Sequence, residues 1–201
     1  MGRGPIPVTV VIPTWNEADQ IAECISGAAW ADEIIVADAG STDDTVSLAR
    51  GLGARVLEAT GPTIAAQRNA AIAQARNEWI LAVDADERVT NPLREELTRV
   101  IRAPQYSAYR VRRRNFYLGR ELTRGRWGKD WVTRFFTRDR RYIERRVHER
   151  LAPGPEPGRL TAYLDHVPYR DLAHQLEKMN RYALWGALDL HEQGSTRRCG
   201  T

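Results

Sequence analysis

Between residues 8 and 83 the chain alternates four times between a short apolar, largely β-branched run and a segment punctuated like a helix, and few architectures accommodate that rhythm. Residues 8–12 (VTVVI), 33–38 (EIIVAD), 55–57 and 79–83 (WILAV) read as strands, and 16–29, 45–51 and 64–75 as helices. Pro13 ends the first strand, the polar turn AGSTDDT brings capping residues before the second helix, and Gly51 closes that helix. Strands this uniformly apolar, with helices between them, predict an α/β fold built on a mostly parallel sheet covered on both faces.

A further helix runs from Pro92 to residue 102, and past Pro104 the pattern changes. Two shorter strand candidates, YSAYRVRR and WVTRFF, flank an Arg/Gly-rich loop, so the chain divides into a first half, 1–104, and a second half, 105–201. APGPEPGR (152–159) reads as a connector. Residues 171–190 form a helix with Leu172, Leu176, Met179, Ala183 and Leu190 on one stripe, and the tail GSTRRCGT is expected to fray.

The longest apolar runs are strand-sized, short of the roughly 18 residues a spanning helix requires, and MGRGPIP carries no apolar signal region. A soluble, cytoplasmic protein is expected. Cys24 and Cys199 are the only cysteines, which implies neither a disulfide framework nor a thiolate metal site. The net charge of +4 conceals an asymmetry: residues 110–150 hold 15 of the 30 basic side chains and 5 of the 26 acidic ones. That segment attracts anions, although only Lys129 and Lys178 are lysines, so part of the arginine excess reflects composition.

In open parallel sheets ligands sit beyond the carboxyl ends of the strands, which here carry PTWNE, DAGSTDD and DADE. The first of these turns is neither the dinucleotide fingerprint nor a P-loop, so a nucleotide would bind in another mode. A chain with 12 aspartates contains about 0.7 D-x-D triplets by chance, so position carries the weight of Asp84-Ala85-Asp86. Paired carboxylates at a strand end repel unless a cation lies between them, and hard oxygen donors suit Mg²⁺ or Mn²⁺ shared with substrate phosphates. A solvated acidic turn is the alternative.

Together, VVIPTWNEADQI, WADEIIVADAGSTDDT, AAQRNAAI, WILAVDADERV, YRVRRRNFYLGR, VHER and YRDLAHQLEKMNRY resemble the family 2 glycosyltransferases of the Rossmann-like GT-A fold. The resemblance runs from residue 8 to 182 and points in particular to the lipopolysaccharide-core enzymes that add glucose to a heptose. It implies a nucleotide-sugar half and a smaller C-terminal acceptor-side region in one domain. It implies that Pro13, Thr14, Trp15, Asn16, Glu17 and Asp38 hold the uridine of a UDP-sugar, with Arg68 near the nucleotide. It places a divalent ion on Asp84 and Asp86, beside Ala85, with a late histidine, His148 or His166, as a third ligand. The resemblance also implies an inverting transfer, whose base would be Asp130 or Glu149. Asp130 is favoured by family pattern, and a surface ion pair of Asp130 with Lys129 or Arg134 is the alternative.

The basic segment lacks a nucleic-acid motif, so the expected partners are a UDP-sugar, an anionic glycolipid or glycan acceptor, and an anionic membrane surface touched peripherally. Two rival functions stay open: a nucleotide-sugar-binding protein that transfers nothing, since relatives of this group run longer, and a sugar-1-phosphate nucleotidyltransferase. On this reading Asp84→Ala is expected to abolish metal-dependent nucleotide binding and leave the fold intact.

Overall fold

In the computed structural model, which describes residues 5–59, 61, 63–125, 127–144, 149–169 and 171–192, β1 (Ile6–Thr14) is buried on both faces. Val8, Val10 and Ile12 enter one core and Val11 the other, all at 0% exposure, which is why this strand reads as a continuous apolar run. It pairs in parallel with β2 (Ala31–Asp38) and β4 (Trp79–Ala82), and β2 pairs with β3 (Arg55–Glu58). The register sets Thr14 opposite Asp38 and Val11 opposite Ala82, so the polar ends of these strands gather on one rim.

Helices α1 (Ala18–Ala28), α2 (Thr45–Gly51) and α4 (Asn91–Arg102) cover one face through Ile21, Ile25, Ala49, Leu93 and Leu97. The alanine-rich α3 (Ile64–Ala73) covers the other, laying Ala65, Ala71 and Ile72 against Val11, Ile35 and Ile80. Thr63 and Thr90 cap α3 and α4 by accepting from Ala66 N and Leu93 N, and Pro92 lies in the first turn of α4.

Beyond β4 the pairing turns antiparallel, as the change of pattern near residue 105 suggests. The sheet continues through β8 (Trp131–Thr137), β6 (Ala108–Tyr117), β9 (Gly158–His166) and β5 (Glu87–Val89), with β7 (Arg120–Glu121) folded back on β6. Four strand spacings separate β4 from β5, about 19 Å if the sheet were flat. The link between Ala82 and Glu87 extends at most about 17 Å. The sheet therefore curls, and the turn carrying Asp84 and Asp86 bridges its mouth. The result is the mixed α/β architecture expected from the resemblance.

Three elements carry something the sequence reading did not give. β9 begins inside the stretch read as a connector, and β5 is too short for a two-residue periodicity to show. The stripe on α5 (Leu172–Glu192) faces solvent, with Leu172, Leu176 and Met179 at 60%, 54% and 53% exposure and Ala183 exposed as well; Leu190's side chain lies outside the described residues. The helix is instead held by its polar side, where Gln175 accepts a 2.6 Å hydrogen bond from the Tyr117 hydroxyl and Lys178 enters the site described next.

Candidate active site

Asp84 follows β4, where its carboxylate meets two arginines from opposite directions. Arg68 of α3 donates to Oδ1 and Arg134 of β8 to Oδ2. Both guanidinium groups are buried, Arg68 at 1% and Arg134 at 5% exposure, so each requires a counter-charge. Burial pushes the Asp84 carboxyl up, but Arg134 and Arg68 outweigh it and hold the group well below the usual carboxylate range. The arginines are shifted the opposite way, remaining charged despite burial because Asp84 faces both.

The pairing extends in both directions. Arg68 also donates to Glu149 Oε1 at 2.7 Å. Arg134 also donates to Oε1 of the fully buried Glu87 at 2.9 Å, Arg113 meets the same oxygen at 3.3 Å, and Glu87 Oε2 accepts the Asp84 backbone N–H at 2.9 Å. Arg113 Nε then donates to Asp130 Oδ2 at 2.8 Å. Asp130 thus pairs with Arg113, not with Lys129 or Arg134 as the sequence alternative had it, because Arg134 turns inward to Asp84.

Asn115 links this chain of charges to Asp86. Its Nδ2 donates to Trp127 O at 2.9 Å and to Asp130 Oδ2 at 3.3 Å, which orients the amide so that Oδ1 faces His166 Nδ1 at 2.6 Å. Nδ1 must carry the proton in that bond, leaving Nε2 of a neutral imidazole with a bare lone pair. That nitrogen lies 3.6 Å from Asp86 Oδ1. Two lone pairs so placed repel unless a cation joins them or the ring takes up a second proton, and a histidine oriented through its other nitrogen is how metal-binding imidazoles are held. The other Asp86 oxygen accepts from Lys178 Nζ at 2.7 Å. Burial raises the Asp86 carboxyl, and His166 and Lys178 reverse this and hold it well below the usual range. Among the described residues of the network, five carboxylates face four permanent cations.

A cleft of about 1320 Å³ opens above these residues, lined by Pro13, Thr14, Trp15 and Glu17 on one side, Asp84, Ala85 and Asp86 at its floor, and Trp127, Trp131, Glu149, His166 and Lys178 from the second half of the chain. Trp15 is 43% exposed, hence no core aromatic. Asn16 and Asp38 lie outside the lining and shape its wall. Asn16 adopts a left-handed φ of 55°, donates its N–H to Ser41 Oγ at 2.8 Å and accepts from Thr42 N at 2.8 Å through Oδ1. Asp38 spends both oxygens on Thr14, Gly40 and Ser41, a turn that requires φ +88° at Gly40. Arg68 lies beneath the cleft against Asp84 rather than in its lining, and Asp130 lies behind Arg113. His148 falls outside the described residues.

Sequence reasoning singled out neither Glu87, Arg113 and Asn115 nor Lys178 as site residues. Arg113 and Asn115 alternate on β6, a period-two signal hidden among neighbouring arginines. Lys178 had a clearer one: a chain with 30 basic residues uses lysine twice, and one of the two stands at Asp86.

Residues 9–154 match Glycosyl transferase family 2, and the chain belongs to that family. It is similar to the lipopolysaccharide core biosynthesis glycosyltransferase LpsC of Rhizobium meliloti, 29% identical over 202 aligned positions covering 96% of this chain and 75% of that protein. It is also similar to an uncharacterized glycosyltransferase of Rickettsia felis, 36% identical over 109 residues, 52% of this chain and 38% of that one. The chain spans 38–41% of the length of the relatives from Rickettsia felis, Rickettsia typhi and Rickettsia prowazekii. Among solved structures, glucosyl-3-phosphoglycerate synthase from Mycobacterium tuberculosis with Mn²⁺ and UDP-glucose is 25% identical, with a TM-score of 0.46 over 54% of this chain and 43% of that one.

Proposed function

We propose that the chain transfers a sugar, glucose in this reading, from a UDP-sugar to a hydroxyl of a lipopolysaccharide-core or related anionic glycan, with inversion at the anomeric carbon. The observation that carries the reading is Nε2 of His166 facing Asp86 Oδ1 at 3.6 Å, with Nδ1 engaged by Asn115, beside Asp84 on the floor of a cleft whose far wall is Thr14 and Trp15. Asp84, Asp86 and His166 would hold Mg²⁺ or Mn²⁺, which when bound neutralises charge on the departing diphosphate.

The chain's own residues do the rest. Trp15 offers an exposed indole for stacking on the base, and Glu17 a carboxylate for sugar hydroxyls or a ring N–H. Arg68 and Arg134 fix the direction of Asp84 before any ligand arrives. Glu149, in the cleft wall, takes the proton of the attacking hydroxyl, and Asp130 positions Arg113. Peripheral contact with an anionic leaflet belongs to the same reading, supported by the exposed Leu172, Leu176 and Met179 of α5; among the described residues no helix is long and apolar enough to cross a membrane.

Calorimetric titration with UDP-glucose, first with Mn²⁺ and then with EDTA, tests the donor site: heat that disappears with EDTA is expected, and none in either condition from a folded sample sinks the reading. For the base, Glu149→Gln is expected to keep donor binding and lose transfer about 100-fold or more, while Asp130→Asn loses less. The reverse order would return the role to Asp130.

A further inference from the structure

We infer that the outer face of β8, β6 and β9 is a docking plate for an extended acidic oligosaccharide, the part of the acceptor beyond the sugar that reacts. The acceptor assignment rests on the transferase reading; the plate itself rests on register and charge. Pairing places Trp131, Arg112 and Tyr163 in one row across three neighbouring strands, and Thr133, Arg110 and Arg159 in the next. The residues that alternate with them, Val111, Val132, Leu160 and Leu164, enter the core, so both rows face outward.

The plate has the chemistry of a carbohydrate surface. Trp131 and Tyr163 each keep 39% exposure, and each ring carries a guanidinium: Arg159 lies 5.7 Å from the Trp131 ring centre and Arg112 5.5 Å from that of Tyr163. Flat aromatic faces stack on the C–H side of a pyranose, while the forked donors of arginine match a carboxylate or phosphate on the same sugar. Two strand spacings separate the rings, about 10 Å, which takes more than one sugar ring and calls for an oligosaccharide. The two rows contain three arginines and no acid, and among the described residues those arginines pair with one carboxylate, the highly exposed Glu156 at 3.6 Å from Arg110, so the plate is net positive. Arg110, Trp131 and Thr133 also line the cleft above Asp84 and Asp86, so the plate runs directly into the reaction site. Single-stranded nucleic acid also uses aromatic and basic surfaces, but it would have to enter a cleft floored by carboxylates.

The test uses the full chain with an acidic hexasaccharide, hexagalacturonate, with maltohexaose as its neutral counterpart and with a short oligothymidylate, while UDP binding with Mn²⁺ is measured on the same samples. Hexagalacturonate is expected to bind saturably and at least fivefold more tightly than maltohexaose. Tyr163→Ala and Arg159→Gln, both at exposed positions, are expected to weaken it fivefold or more and to leave UDP affinity unchanged. A protein that binds UDP but not hexagalacturonate, variants that bind it like the parent, or oligothymidylate held as tightly with the same losses would each overturn the plate. Hexagalacturonate bound as expected by a protein that ignores UDP would keep the plate and remove the transferase reading.

Discussion

Asp84 has two duties that pull in different directions when it is mutated. As a ligand candidate it faces the cleft, and as a counter-charge it neutralises two arginines buried beneath it. Read from sequence, Asp84→Ala leaves the fold intact; with the arginines in place it strands two buried guanidinium groups. Breaking such a pairing costs about 3–5 kcal/mol. Urea denaturation of Asp84→Ala is therefore expected to show a loss of that order together with the loss of metal-dependent nucleotide binding. A loss under about 1 kcal/mol would mean that Glu149 and Glu87 suffice as counter-charges. His166 shows the limit of reading residue types alone: its candidacy as a ligand was legible, but its tautomer is set by Asn115, fifty-one positions away in the chain.

Helix α5 shows how an element can be found from its period without that period telling which face is buried. Its apolar period is plain in the sequence, yet the stripe faces out, because one ammonium in contact with a buried carboxylate outweighs several leucines that only partial burial would reward. Lys178 holds Asp86 Oδ2, next to the Oδ1 that a divalent ion shared with His166 would use. Lys178→Met is expected to tighten Mn²⁺ binding in the absence of nucleotide about thirtyfold, the roughly 2 kcal/mol that a unit charge about 4 Å from a doubly charged ion costs in a water-like surrounding. Unchanged or weaker Mn²⁺ affinity by calorimetry would show that ion and ammonium do not compete. The strands divide by the same physics. β1 and β4, buried on both faces, announce themselves as apolar runs, whereas β9 alternates Leu160, Ala162 and Leu164 with polar residues behind a Pro/Gly stretch and was passed over.

For the molecule as a whole, the curl of the sheet converts local patterns into one charge network, and its pH response follows. Asp84 and Asp86 both titrate below their ordinary value of 3.8 when folded. Carboxyls depressed in this way bind more protons unfolded than folded, so their contribution is fully present above that value and is lost as pH falls through the folded-state values below it. Stability is expected to decline steeply below pH 4, and the decline should be shallower in Asp86→Asn. Equal slopes in acid-unfolding curves of the two proteins would show that Asp86 is not part of the linkage.

The residues alone established the β/α alternation and the polar strand ends, because hydrophobic period and turn chemistry are encoded within a dozen neighbouring positions, and the family came from the resemblance of several motifs in order. Tertiary structure decided which acid meets which base. With 30 basic and 26 acidic side chains, composition permits almost any pairing; the pairing of β8 with β4 brings Arg134 to Asp84, the closure of β5 onto β9 brings His166 to Asp86, and the packing of α3 and α5 supplies Arg68 and Lys178. Coulomb attraction depends on distance through space, and in this chain that distance is set by how far the sheet must bend to let a four-residue link reach its other edge.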